Sequence, residues 1–454
     1  MIQRSGGPHA THHPIPTPGN RPQNSRQDAP GRGGEPAPSG TGAGTAPTGG
    51  TPRLPERRLW TLLGPAFVAA VAYVDPGNVA ANLTAGARYG YLLVWVLVVA
   101  NVMAVLIQYL SAKLGLVTGK SLPELLGERL PRTARLLYWA QAQIVAIATD
   151  LAEVVGGAIA LYLLFGVPML LGGLIVGAVS LGLLLFQARR GQRTFEFVIM
   201  GMLLIIAVGF LAGLFFSPPN WGLAFGGLMP RFEGAETVLL AASMLGATVM
   251  PHAIYVHSSL ARDRHGKAGR EMLPRLLRAT RLDVIVSLVV AGSVNIGMLL
   301  LAASALAGRE GTDSIEGAHA AITEALGPAV GVAFGLGLLA SGLASTSVGA
   351  YAGAAIMSGL LRVRLPLLLQ RAITLIPALV VIALGVDPTW ALVVSQVVLS
   401  LGIPFALIPL ARLTSSRAVM GPLANGRVLS TAIWVSAALI VALNAALLWL
   451  TFTA

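Results

Sequence analysis

Long apolar stretches separated by short charged connections fill the chain from about residue 59 to its end. Each stretch has the roughly 20 residues that a helix needs to cross the hydrocarbon core of a bilayer. The eleven apolar segments lie near 60–87, 89–117, 136–165, 168–187, 194–216, 237–261, 282–307, 327–361, 365–385, 388–411 and 428–453. The pattern predicts an all-α polytopic membrane protein with eleven transmembrane helices.

The first apolar segment is interrupted near its middle by Asp75-Pro76-Gly77-Asn78, and Asp75 is the only acidic or basic residue between positions 59 and 87. Pro76 removes a backbone donor and crowds the preceding turn, and Gly77 loosens the helix. An isolated Asp at the centre of a membrane helix costs about 2.5–3.5 kcal/mol. A chain that tolerates this cost where it also breaks its helix is expected to form a site there.

The sixth segment carries a second interruption, Ala247-Thr248-Val249-Met250-Pro251-His252, five spans after the first. Interrupted helices at corresponding positions of two halves are typical of a transporter site at the interface of two repeats. Because five is an odd number of spans, the repeats, at about 59–216 and 237–411, are predicted to have inverted topology. Residues 428–453 form an extra span in this interpretation.

The two breaks together offer a mixed set of metal ligands. Asp75 supplies a carboxylate, Asn78 an amide oxygen and Met250 a thioether, and unwinding frees backbone carbonyls such as those of Ala247 and Ala72. The oxygen ligands alone would suit Mg²⁺, Ca²⁺ or Na⁺, whereas a soft sulfur favours first-row transition metals. The set therefore predicts a Mn²⁺/Fe²⁺-type site that does not exclude Co²⁺, Zn²⁺ or Cd²⁺. The alternative role for Met250 is gap-filling packing.

These paired motifs resemble the Nramp family of proton-coupled divalent-metal transporters, and the resemblance runs from about residue 58 to 450. It includes Thr149-Asp150-Leu151-Ala152-Glu153 in the third span and, in the tenth, Ser395-Gln396-Val397-Val398-Leu399-Ser400 with Pro404-Phe405-Ala406. The resemblance implies a LeuT-type fold with two inverted five-helix repeats. It implies as metal ligands Asp75, Asn78, Met250 and the Ala247 carbonyl, with Gln396 approaching the metal in some states.

Asp150 and Glu153 are three residues apart and therefore share one face of the third span. Two carboxylates inside a membrane span suit a proton path leading away from the metal. The resemblance implies this role, with His252 and also His257 between the metal site and the path. The structural alternative is that the carboxylates pair with Arg371 or a histidine and hold spans together.

Three further polar residues bear on the metal site or on the proton path. Gln370 precedes Arg371 at a place where many members of the family carry two consecutive arginines. Because of this difference, the sequence does not determine the route by which protons leave. Asn295 and Gln143 either line the site or form hydrogen bonds between helices, and the sequence favours neither role.

Composition and charge support a membrane protein with a defined orientation. Only 11% of residues are charged, the mean hydropathy is +0.74, and the absence of cysteine excludes disulfides and thiolate ligands. Of the 31 Lys and Arg residues, 28 lie on one side of the predicted topology, because only Arg88, Arg231 and Arg309 fall on the other. The positive-inside rule then predicts a cell-membrane protein with its N-terminus in the cytoplasm and its C-terminus outside. This distribution argues against nucleic acid as the reason for the net charge of +12.

The part of the chain outside the spans adds two expectations. Residues 1–52, rich in Pro, Gly, Ser and Thr, predict a disordered cytoplasmic tail, and residues 53–454 form the transporter domain. The tail contains His9, His12 and His13, for which a passive role is favoured over metal gathering. Residues 121–130 predict a short amphipathic helix on the cytoplasmic side.

The predicted function is import of Mn²⁺ or Fe²⁺ together with protons by alternating access. Metal ions, protons and the lipid bilayer are the expected partners, with no resident cofactor and no obligatory protein partner. A LeuT-fold amino-acid carrier, a Na⁺-coupled carrier and a non-coupled metal channel remain alternatives. An intramembrane hydrolase is disfavoured, because the chain lacks His-Glu-x-x-His, Gly-x-Ser-x-Gly and any cysteine.

Overall fold

The computed structural model describes residues 64–266, 269, 271–309, 311–312, 314–363 and 366–453, so the predicted tail at 1–52 and its histidines lie outside the described residues. In these ranges the regular secondary structure is entirely helical. In chain order the α-helices are α1 (Pro65–Val71), α2 (Pro76–Tyr89), α3 (Val94–Thr118), α4 (Leu122–Arg129), α5 (Arg132–Phe165), α6 (Met169–Arg190), α7 (Gln192–Leu211), α8 (Gly213–Phe216), α9 (Trp221–Gly226), α10 (Ala235–Thr248), α11 (Pro251–His265), α12 (Leu273–Ala305), α13 (Ile315–Leu326), α14 (Pro328–Ile356), α15 (Leu367–Ala383), α16 (Pro388–Ser415), α17 (Arg417–Met420) and α18 (Arg427–Thr453).

Nine helical segments within the described ranges are long and apolar enough to cross a membrane. The first and ninth predicted spans contain shorter helices, because the first is divided into α1 and α2 and because α15 has only 17 residues. The prediction of an all-helical multi-pass membrane protein is confirmed, while the count of eleven spans stays a prediction.

The two broken helices lie inside a frame of long continuous ones. Helix α2 packs along α12, α11 packs along α3, and α5 and α14 pack against each other. A Cβ atom added to Gly342 of α14 would lie 2.8 Å from the Gly157 Cα of α5. The small residues therefore let these two backbones touch, a contact that lipid-embedded helices use in place of hydrophobic driving force.

The outer surface of this frame is apolar. Large hydrophobic side chains on the long helices are exposed, including Leu137 of α5, Leu204 of α7 and Trp449 of α18. Lipid tails solvate such side chains as well as a protein core does, so this surface suits a bilayer rather than water.

The predicted amphipathic helix at 121–130 is α4, which confirms the helix, while its position on the cytoplasmic side stays a prediction. Ser121 and Glu124 form a capping box at its start, and Leu122, Leu125 and Leu126 are buried. Glu124 also pairs with Arg262 of α11. Burial alone would raise the pKa of the Glu124 carboxyl, but the Ser121 backbone N–H and the Arg262 guanidinium outweigh it and lower that pKa. Helix α4 is thus tied to the end of the second broken helix.

Candidate metal site

The first break lies between α1 and α2. Helix α1 ends at Val71, a 3₁₀ turn covers Ala72–Val74, and Asp75 is extended before α2 begins at Pro76. Because Pro76 has no backbone N–H, the Ala72 carbonyl lacks the donor that residue 76 would supply in a continuous helix. The break therefore leaves a carbonyl beside a buried carboxylate.

Two neighbouring helices hold the unwound turn. Asn295 Nδ2 of α12 donates to the Tyr73 carbonyl oxygen at 2.7 Å, and Ser341 Oγ of α14 donates to the Val74 carbonyl oxygen at 2.5 Å. Asn295 Oδ1 also accepts from Asn82 Nδ2 at 3.0 Å. Of the two roles considered for Asn295, hydrogen bonding between helices is the one observed. Ser341 was missed, although Ser341, Ser345, Thr346 and Ser347 give its span an unusual run of hydroxyl groups.

The second break also lies directly before a proline. Helix α10 ends at Thr248, Met250 is extended with φ −78° and ψ 128°, and α11 begins at Pro251. Pro251 cannot donate to the Ala247 carbonyl, which instead accepts from Asn78 Nδ2 at 2.8 Å. A carbonyl of the second break thus reaches a side chain of the first.

Asn78 joins the two breaks through its side-chain amide. Besides Ala247, its Nδ2 donates to Asp75 Oδ1 at 2.7 Å, and its Oδ1 accepts from Thr248 Oγ1 at 3.4 Å. Asp75, Asn78 and Ala247 are fully buried, with exposed fractions of 0%. A carboxylate oxygen and a carbonyl oxygen that converge on one hydrogen-bond donor can also converge on a cation.

The remaining predicted ligands surround this contact. Met250 is fully buried at the second break and belongs to the same apolar cluster as Ala72. Gln396 of α16 lies against Gly77, because a Cβ atom added there would be 1.7 Å from Gln396 Nε2 and 3.3 Å from Asp75 Oδ2. Asp75 Oδ2 and both amide atoms of Gln396 are buried without a hydrogen-bond partner in the described part of the chain. Such atoms cost about 1–3 kcal/mol each unless a ligand satisfies them.

The residue types at the site limit how it could bind a metal ion. Among the described residues, no group of three or more His, Cys, Asp or Glu converges on a point where an ion could bind. A metal held here would therefore have one carboxylate, from Asp75, and otherwise neutral ligands. This set fits an ion that must be released again better than one held permanently.

The two carboxylates of α5 have different surroundings. Arg371 Nη1 of α15 donates to both carboxylate oxygens of Asp150, at 2.6 and 2.5 Å, and both side chains are buried. Glu153 is also buried, yet neither of its carboxylate oxygens has a hydrogen-bond partner within the described ranges. Asp150 thus has the partner that the structural alternative named, whereas Glu153 does not.

His252 and His257 of α11 face different helices. His252 Nδ1 lies 3.4 Å from Thr149 Oγ1 of α5, next to Asp150 in the chain. His257 Nδ1 lies 2.9 Å from Gln108 Oε1 of α3, and Gln108 Nε2 donates to the Tyr73 hydroxyl at 2.6 Å. His252 therefore lies between the second break and α5, while His257 contacts the first break through Gln108. Gln108 was missed, although it is one of two amide side chains, with Asn101, in a mostly apolar span.

Comparison with known proteins identifies the lineage. Residues 66–450 match the Nramp family, described as natural resistance-associated macrophage protein-like. This chain belongs to the Nramp family. It is 60% identical over 402 residues to the divalent metal cation transporter MntH of Mycobacterium tuberculosis, covering 88% of this chain and 94% of that protein. Its identity to MntH of Bacillus subtilis is 47% over 400 residues, or 87% and 93% of the two chains. The predicted resemblance is confirmed.

Solved structures agree with the Nramp assignment. The fold is similar to that of the Eremococcus coleocola manganese transporter in complex with an aromatic bis-isothiourea substituted compound. The TM-score is 0.79 and the identity 29%, over 86% of this chain and 87% of that one. MhsT in complex with L-phenylalanine has a TM-score of 0.57 at 15% identity, over 87% and 98% of the chains, and shows the fold alone. The LeuT-type fold predicted for this Nramp chain is confirmed.

Proposed function

We propose that this chain imports divalent transition-metal ions, Mn²⁺ and Fe²⁺, through a site between the two helix breaks, together with protons and by alternating access. The observation that carries the proposal is the contact of Asp75, Asn78 and the Ala247 carbonyl across the two breaks. The relatives named divalent metal cation transporters support the same activity. The chain is a transporter and not an enzyme.

The proposed ligands are Asp75, Asn78, Met250, Gln396 and the carbonyls of Ala247 and Ala72. A cation would take the place of the Asn78 amide hydrogens, which now lie between Asp75 Oδ1 and the Ala247 oxygen. Turning the Asn78 amide over would present its oxygen to the same ion. The thioether then supplies the only soft ligand of the set.

The broken helices also supply a basis for alternating access. Residues 59–216 and 237–411 are proposed as inverted repeats, each starting with its broken helix, with 428–453 as the extra span. A break allows the half-helices α1 and α2, or α10 and α11, to tilt separately, since no continuous hydrogen-bond ladder joins them. The bound ion would then be exposed to one side of the membrane at a time.

The proposed proton path leaves the metal site along α5. His252 lies beside Thr149, and its Nε2 is buried without a hydrogen-bond partner in the described part of the chain, like both carboxylate oxygens of Glu153. Buried ionisable groups with free positions can accept and pass on a proton, and Asp150 with Arg371 follows on the same face. For His257 a part in the path remains a prediction. Its contact with Gln108 favours an indirect role through Tyr73.

The proposal is tested with purified protein in liposomes. We expect saturable uptake of Mn²⁺ and Fe²⁺ that an inward pH gradient stimulates and that is accompanied by proton entry. Uptake without saturation or proton movement would indicate a channel. Uptake of an amino acid, or uptake that depends on Na⁺ and not on the pH gradient, would indicate the corresponding carrier and contradict the proposal.

Met250→Ala should broaden ion selectivity without abolishing transport. The remaining ligands would all be oxygens, which hard ions prefer. We expect the apparent affinity for Cd²⁺ to fall at least about tenfold and that for Mn²⁺ to fall less, while Ca²⁺ and Mg²⁺ begin to compete. Competition assays measure these changes. The control is Met244→Ala, which removes an equally buried methionine of α10 outside the break. Unchanged Cd²⁺ affinity with Ca²⁺ still excluded would make Met250 a packing residue.

We also propose that the protein lies in the cell membrane with its N-terminus in the cytoplasm and its C-terminus outside. The support is the sidedness of the basic residues. The chain contains no cysteine, so single introduced cysteines report sidedness directly. A membrane-impermeant maleimide should label Glu233→Cys, before α10, in intact cells. It should label Glu128→Cys, on α4, only after permeabilisation. The reverse pattern would overturn the orientation.

A further inference from the structure

Three arginines lie together at the turn between α6 and α7. Arg189 and Arg190 end α6, Gly191 reverses the chain with φ 85°, and Arg193 lies in the first turn of α7. All three are exposed, and within the described ranges none of their guanidinium groups forms an ion pair or a hydrogen bond. The turn therefore presents three positive charges that no carboxylate pairs with, a concentration of charge that attracts anions.

An apolar surface begins next to this charged turn. The guanidinium carbon of Arg193 lies 6.0 Å from the ring centroid of Phe197, whose side chain is 61% exposed. Leu204 is exposed further along α7, and between them a Cβ atom added to Gly201 would meet no atom within 4 Å. Because these residues are three or four positions apart, they share one face of the helix. A ligand that matches both surfaces has an anionic group at the turn and an apolar tail along α7.

A phospholipid with a negatively charged headgroup has both of these parts. We propose that the turn between α6 and α7 binds an anionic phospholipid. Its phosphate contacts Arg189, Arg190 and Arg193, and one acyl chain lies along α7 over Gly201. Guanidinium groups suit this task because each can give a phosphate two parallel hydrogen bonds. In the proposed orientation the turn lies at the cytoplasmic leaflet, where anionic lipids attract basic segments.

The start of α7 also contacts both broken helices. Gln192 Nε2 donates to the Leu260 carbonyl of α11 at 3.2 Å and to Glu196 Oε1 at 2.9 Å. Glu196 Oε2 lies 3.6 Å from Arg264 Nη1 of α11, and a Cβ atom added to Gly64, directly before α1, would lie 2.9 Å from Glu196 Cδ. A lipid that holds this turn therefore restrains α1 and α11, which must tilt during alternating access. We expect it to slow transport, a consequence that rests on the metal import proposed above.

The first test measures lipid binding to the purified full chain. Native mass spectrometry in detergent, with added phosphatidylglycerol, counts the bound lipid and gives its dissociation constant. Each basic side chain near an anionic surface strengthens the attraction about fivefold, so Arg189→Gln/Arg190→Gln/Arg193→Gln should weaken binding about 100-fold. The neutral lipid phosphatidylcholine should bind the wild type more weakly than phosphatidylglycerol does. Equal binding of the two lipids by the wild type would overturn the proposal.

The matched control separates a site from general attraction between a basic protein and an anionic lipid. Arg129→Gln/Arg132→Gln/Arg417→Gln removes the same charge from exposed positions on the same predicted side of the membrane. These arginines lie outside the turn, so we expect phosphatidylglycerol to bind this variant nearly as it binds the wild type. Equal losses of affinity in the two triple variants would show diffuse attraction and overturn the site.

The second test fills the apolar part of the site and leaves its charge intact. Gly201→Phe places a ring where the acyl chain lies, and overfilling a packed contact should weaken phosphatidylglycerol binding at least about fivefold. The control is Val435→Phe, which enlarges an exposed apolar side chain of α18 and should have no effect. If Gly201→Phe binds phosphatidylglycerol as the wild type does, and inorganic phosphate binds equally tightly, the turn takes a free anion and the lipid assignment is wrong.

The third test compares Mn²⁺ uptake into phosphatidylcholine liposomes with and without phosphatidylglycerol. The wild type and the variant that lacks Arg189, Arg190 and Arg193 experience the same membrane charge, so the difference between them isolates the site. We expect phosphatidylglycerol to slow the wild type at least about fivefold relative to this variant. Equal rates would overturn the effect on transport, while lipid binding that requires the three arginines would still support the site. A wild type that binds the lipid but imports no Mn²⁺ would contradict the proposed import and not the lipid site.

Discussion

Asp75→Ala is expected to reduce Mn²⁺ uptake by at least about 100-fold, since even groups that only support a metal ligand cost about 10–100-fold when removed. The physical reason is that Asp75 supplies the only negative charge among the proposed ligands. Uptake of Mn²⁺ into liposomes and equilibrium binding to the purified protein both measure the loss. Undiminished uptake would contradict the site assignment.

The matched variant is Asp75→Asn, because Asp75 has a second task. Its Oδ1 accepts from the Asn78 backbone N–H at 2.8 Å and so caps α2. Alanine removes this cap at a cost of about 0.5–2 kcal/mol, whereas asparagine can keep it. We therefore expect both variants to lose transport, but only Asp75→Ala to lose thermal stability. Both variants also remove a buried charge, so the difference in stability between them measures the cap.

Arg371→Leu is expected to destabilise the protein by about 3–5 kcal/mol, the usual result of leaving one member of a buried ion pair alone. Asp150 would be left at a buried position without the two hydrogen bonds from Arg371 Nη1. The thermal unfolding midpoint of the purified protein measures this loss. The control is Lys120→Leu, which breaks the Lys120–Glu128 pair with side chains 46% and 45% exposed and should cost at most about 1 kcal/mol.

Removing the charge of Asp150 as well as that of Arg371 separates the structural role of this ion pair from its role in proton coupling. The double variant Asp150→Asn/Arg371→Leu should regain much of the stability, because no isolated charge remains buried. Asp150→Asn should still lower the number of protons entering per metal ion more than it lowers metal binding. Additive stability losses in the double variant would contradict the pairing. Equal losses of binding and coupling would make the pair purely structural.

The sequence could predict the breaks because their cause is local. A proline cannot donate to the carbonyl four residues before it, so Pro76 and Pro251 determine where α1 and α10 end whatever surrounds them. The same reasoning indicated Ala72 and Ala247 as sources of carbonyl ligands. Hydrophobic length then identified the spans, because a bilayer imposes the same length requirement on every continuous helix.

The partners of these breaks could not be read in the same way. These partners depend on contacts between residues far apart in the chain. Examples are the contact of Asn78 with Ala247, the hydrogen bond from Ser341 to the Val74 carbonyl, and the link that Gln108 forms between His257 and Tyr73. For Asp150 the sequence left a proton role and a pairing with Arg371 both open. The sequence around a single serine or glutamine in a membrane helix does not indicate which neighbouring helix that residue will contact.

What the sequence by itself determined is therefore the class of protein, the positions of the two breaks and the kind of ligands they offer. These follow from chain-local physics: helix length, proline chemistry and the cost of a charge in lipid. Only the tertiary structure decided which groups meet, giving Asn78 its two acceptors, Asp150 its arginine and Glu153 none among the described residues. The physical reason is that packing against neighbouring helices sets the rotation of each helix about its axis. A helix that is apolar on all sides has almost no sequence pattern from which that rotation could be predicted.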